Sequence, residues 1–131
     1  MNDSSGHVEG ELWNLYLAGR RDLPTMAAAF ATTNNKVHHA GSAAGSVFVE
    51  RLSGTTLGSD WSEAQASIMA VLTETSNILR DVGVALESAA TEYGNADTAG
   101  AAGFRKIRDG NTIDDVRPPI PDTKKPGDPT E

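Results

Sequence analysis

Between Ser59 and Asp97 the apolar and small residues Trp61, Ile68, Leu72, Thr75, Leu79, Val82, Leu86, Ala89 and Tyr93 recur, after one gap, in steps of four and three. That is the period of one face of an α-helix. The spacing predicts a single helix over 59–97, about 58 Å long at about 1.5 Å per residue, and a seam of that length needs an equally long partner. Ser59 and Asp60 can accept hydrogen bonds from the free amides of a first turn, and Glu63 is spaced to complete a capping box with Asp60.

The partner is upstream. Asp22-Leu23-Pro24 is a helix entry, with proline placed where its missing N–H costs nothing. Leu23, Met26, Phe30, Thr33, Val37, Ala40, Ala44 and Val47 then repeat the same spacing, and Phe48 and Leu52 extend it. Asn34-Asn35, Gly41 and Gly45 weaken this helix, so packing must hold it, and the small residues at 40–45 permit close approach of another backbone. Ser53-Gly54-Thr55-Thr56-Leu57-Gly58 is turn chemistry. The expected fold is all-α: an antiparallel helical hairpin of two long helices, forming a four-helix bundle on dimerisation. Phe30, Val37, Val47, Trp61, Ile68, Leu72, Leu79, Val82 and Leu86 are the expected partner interface. Residues 20–52 carry four basic and two acidic side chains, and residues 59–97 carry one basic and seven acidic, which gives the arms a weak mutual attraction.

The flanks divide the chain into an N-terminal segment, 1–21, the hairpin domain, 22–104, and a tail, 105–131. Residues 1–10 are small, polar and acidic and read as disordered or weakly held. Glu11 to Ala18 reads as a short apolar helix stopped by Gly19-Arg20-Arg21. It either folds back over one end of the hairpin or presents Trp13, Tyr16 and Leu17 as an extra partner patch. Beyond Asp97, Gly100 and Gly103 dilute helical propensity and Phe104 to Ile107 adds at most a last turn. Five of the six prolines lie after Arg108, and that tail reads as flexible and disordered.

Chemistry has little to stand on. At 131 residues the chain buries only a modest core alone. With no cysteine it has no thiol nucleophile or thiolate zinc ligand. A net charge of -7 without a basic stripe opposes nucleic acid, and no apolar run reaches the roughly 20 residues of a membrane span. His38 and His39 point about 100° apart on a helix with no carboxylate one turn away, so no metal site is expected. The glycine-containing loop at 54–58 has no phosphate-binding pattern. The expectation is a protein without enzymatic activity, cofactor or small-molecule substrate.

Tyr93 and Asp97, one turn apart, place a ring and a carboxylate side by side at a helix end. They form either a recognition surface or the close of the seam with one solvated acid. Two long helices, with the second ending in Leu86-Glu87-Ser88-Ala89-Ala90-Thr91-Glu92-Tyr93-Gly94-Asn95-Ala96-Asp97, resemble the WXG-type proteins of actinobacterial type VII (ESX) secretion, and more closely their small EspC-like members. The resemblance covers residues 22–104. It departs at the bend, where Trp-x-Gly is replaced by Trp61-Ser62-Glu63, with Gly58 ahead of the tryptophan. It implies a non-enzymatic secretion substrate or targeting partner, exported as a folded dimer by a signal made of Tyr93 and Asp97. The dimer would be with itself or with another helical-hairpin protein. Export to the envelope or medium would proceed through the secretion machinery without a cleaved signal peptide. The alternative is a cytoplasmic adaptor or chaperone for a larger cargo such as a toxin.

Overall fold

The three-and-four spacing is realised in two long helices. In the computed structural model, which describes residues 3–51, 56–96, 100–110 and 117–130, helix α2 runs Leu23–Arg51 and helix α3 runs Leu57–Ala96. Helix α1, Asp3–Leu17, precedes them, and helix α4, Gly100–Gly110, follows. Among the described residues there is no strand. Helix α3 starts two residues before the expected cap. The backbone N–H of Asp60 donates to Thr56 O at 3.0 Å and the Ser59 hydroxyl to the same carbonyl at 2.8 Å, so Asp60 lies inside the first turn.

The chain divides into two compact units, Met1–Met26 with Ile78–Pro119 and Ala27–Asn77 with Ile120–Glu131. In the second, α2 and α3 run antiparallel. The Ser76 hydroxyl donates to Ala27 O at 2.8 Å, Thr73 Oγ1 to Asn34 Oδ1 at 3.3 Å and Gln65 Nε2 to Val37 O at 3.3 Å. As α2 advances, its partners on α3 recede. Gly41 makes room for the Gln65 side chain, which occupies the space a Cβ would need, so this glycine admits a side chain rather than a backbone.

In the first unit, taken by itself, Tyr16 packs against Ala90 and Arg20 bonds Glu87, an antiparallel order. Here the expected stop at Gly19-Arg20-Arg21 is corrected. Ala18–Asp22 forms a π-helical turn, in which Leu23 N–H bonds Ala18 O, and helix continues on both sides of it. Residues 3–10, expected to be disordered, are helical, and α1 packs against α4. The segment after Gly100, expected to add at most one turn, is that fourth helix. Its Arg105 Nη2 donates to Asn95 Oδ1 at 3.1 Å.

The seams keep the expected period and change phase. On α2 the buried positions are Pro24, Ala27, Ala31, Asn34, His38 and Gly41, each one residue after an expected one. On α3 they are Met69, Ser76, Gly83, Ala90 and Gly94, again displaced by one from Ile68, Thr75, Val82, Ala89 and Tyr93. Small residues let the helical backbones approach closely, whereas a row of β-branched and aromatic side chains would hold them apart. The large apolar row is therefore turned aside, and Leu72, Leu79 and Leu86 lie half-buried at its border.

The tail also differs from expectation. Its described residues 120–130 belong to the second unit and are tied to α2 through Asn34 and Asn35.

Candidate functional site

Tyr93 lies in the last turn of α3 and is 72% exposed. Its neighbours explain why. Ala90 and Gly94, on the packed face, are buried, Ala90 beneath Tyr16, so the intervening tyrosine is turned to solvent. Val82 precedes it by eleven residues, close to three helical turns at about 3.6 residues per turn, and so lies on the same face. Ile78, Val82, Ala85, Ala89 and Tyr93 are all exposed, which makes an apolar row ending in a phenol. Leu57, Trp61, Ile68 and Val71 are exposed on the earlier half of α3. These rows combine exposed apolar area with one ring that carries a hydroxyl at the helix end.

Asp97 lies outside the described residues, as does the side chain of Val47. Of the other expected interface residues, Trp61, Ile68 and Val82 are exposed, and Phe30, Val37, Leu72, Leu79 and Leu86 are half-buried. Of the two readings of Trp13, Tyr16 and Leu17, covering a helix or forming an open patch, Tyr16 follows the first. Tyr16 is 7% exposed and packs with Ala90, Leu12 and Trp13, and its ring stacks on Trp13 with centroids 5.6 Å apart. Leu17 is half-buried. Aromatic area so close to a helix pair gains more by covering it than by facing water, so Tyr16 is core and Trp13 lies partly buried against it.

Glu87 is the charged residue of this region that spacing did not single out. Its Oε1 accepts from Arg20 Nη1 at 2.6 Å, and its Oε2 accepts from Arg117 Nη2. It lines an open recess of about 290 Å³ with Val84, Ser88, Thr91, Glu92 and Arg117. Both carboxylate oxygens are held by guanidinium groups, so it anchors α3 to neighbouring segments and is not placed as a general base. His38 is buried and His39 exposed, their rings edge-on at 5.9 Å. Among the described residues no group of three or more His, Cys, Asp or Glu is placed to hold a metal ion, and no helix is long and apolar enough to cross a membrane.

Spacing and propensity mark Asn34 and Asn35 only as weak helix formers. Asn34 is fully buried, and the signal that could have found it is its place in a three-and-four row with Ala27, Ala31 and His38, where a carboxamide needs a partner. Comparison of the chain with protein-family models, curated proteins and solved structures gives no match.

Proposed function

We propose that this chain is a non-enzymatic secretion substrate or targeting partner of a type VII system, recognised at Tyr93 together with Asp97. The observation that carries the reading is the exposure of Tyr93 at the end of α3, on the face shared with Ile78 and Val82. In this reading α2 and α3 form a helical hairpin, and the apolar row turned away from its internal seam docks a second hairpin, of this chain or a related one, to give a four-helix bundle. Recognition needs no catalytic group or cofactor. It needs a rigid helix end that presents a ring and an acid to a receptor.

Two experiments test it. In the native host, Tyr93→Ala combined with Asp97→Ala should abolish appearance of the protein in envelope and culture filtrate while leaving its helical circular dichroism unchanged. Normal export of that variant removes the signal, and retention of the unaltered protein in the cytoplasm favours a chaperone for another cargo. For the dimer, Ile78→Lys with Val82→Lys should weaken self-association about 100-fold or more in sedimentation equilibrium, since burying each such side chain contributes roughly 1.5–3 kcal/mol and each 1.4 kcal/mol is about tenfold. Unchanged association would place the interface on another face.

A further inference from the structure

We propose that Asn34 and Asn35 form a binding site for an extended, proline-flanked peptide, read through its main chain, and that residues 120–128 of the same chain are its resident ligand. This goes beyond the export reading and does not depend on it. Asn34 Nδ2 donates to Lys124 O at 2.8 Å, Asn35 Oδ1 accepts from Lys124 N at 2.8 Å, and Asn35 Nδ2 donates to Asp122 O at 2.9 Å. Every one of these bonds to the tail ends on a backbone atom. In an extended chain the N–H and C=O of one residue face the same side, and residues two apart face it together, which is the pattern seen at 122 and 124. A carboxamide carries a donor and an acceptor, so adjacent asparagines act as a short strand edge built on a helix.

The site is built on one side and its ligand is shaped on the other. Asn34 is fully buried, and its Oδ1 accepts from Thr73 Oγ1 at 3.3 Å, which orients the amide nitrogen towards the tail. Pro121 and Pro126 flank the bonded positions, where no N–H is spent on the site, and each fixes φ and biases the preceding residue to extended geometry. Directly after comes a closed turn. Asp128 N–H donates to Lys125 O at 3.1 Å, Lys125 N–H donates to Asp128 Oδ2 at 2.7 Å, and Gly127 has φ 89°, the geometry of a type II turn with proline and glycine at its centre. Such a ligand loses little chain entropy on docking. Recognition by backbone with few side-chain demands is the mode by which sheet edges capture peptides.

The test uses the full-length chain carrying Lys124→Pro, which removes the one tail N–H that the site accepts, with circular dichroism to show that its helices persist. A fluorescent peptide of residues 117–130 should bind this variant more tightly than the unaltered chain by on the order of tenfold or more, because a tethered tail competes at an effective concentration in the millimolar range. A peptide carrying Lys124→Ala should bind like the natural one, and a peptide carrying Lys124→Pro should not bind. Adding Asn35→Ala to the chain should abolish binding. Absence of binding to the Lys124→Pro chain, equal binding to the unaltered chain, or a loss with Lys124→Ala as large as with Lys124→Pro would each overturn the proposal. The last of these would mean that the lysine side chain carries recognition.

Discussion

Gly19→Leu is expected to lower the melting temperature by about 10 °C or more, for a cost near or above the 1–3 kcal/mol typical of overpacking. A Cβ built on Gly19 comes within 2.5 Å of Gly83 O and 2.6 Å of Glu87 N, both backbone atoms of α3. The contact is reciprocal, since a Cβ on Gly83 comes within 2.8 Å of Gly19 O. No rotamer relieves such a clash, so the π-helical turn must move off α3. That movement would strip Ala90 of its cover by Tyr16 and separate Arg20 from Glu87. Gly10→Ala, at a helical glycine with open space around it, is the control of opposite sign and should stabilise by roughly 0.5–1 kcal/mol. Thermal denaturation followed by circular dichroism reads both. An unchanged melt for Gly19→Leu would show that the two backbones are not in contact.

Met69→Ala should cost about 2–5 kcal/mol, and the neighbouring Ile68→Ala less than about 1 kcal/mol, in urea denaturation at protein concentrations that keep the chain as a single copy. Met69 is 1% exposed and leads the fully buried side chains of the described residues in size, whereas Ile68 is 51% exposed. Met69 lies between Gln65, which reaches Val37 and Gly41, and Thr73, which bonds Asn34, so its truncation opens a cavity inside the α2–α3 contact. Against a total stability of about 0.05–0.15 kcal/mol per residue, the loss is a large share. The reverse ranking would restore the phase that the large apolar residues indicate and would place Ile68 in the internal seam. The pair therefore tests the rotation of α3 directly.

Both predictions rest on the displacement that separates what was legible from what was not. The large side chains Phe30, Ile68, Val82 and Tyr93 reveal that a helix has a stripe, but the contact itself is made by Ala27, Ala31, Ser76 and Gly83. Hydrophobic weighting favours the first set, and close approach selects the second. Gly19 carried a real signal read in the wrong sense: it marks the approach of another backbone, where a glycine followed by two arginines suggested a helix end. The tail prolines suggested a flexible segment, yet Lys125-Pro126-Gly127-Asp128 closes a turn that the chain encodes locally.

The sequence by itself determined that the chain is helical, where its two long helices run to within a few residues, and that each carries a stripe repeating at three and four. These are local properties, set by spacing and propensity along one segment. Tertiary structure decided which row of each stripe is buried, that Tyr16 is core, that Tyr93 faces solvent, and that Asn34 and Asn35 hold the tail. Each of those outcomes depends on how near two backbones can come and on which buried polar group finds a partner, and neither quantity belongs to a single segment.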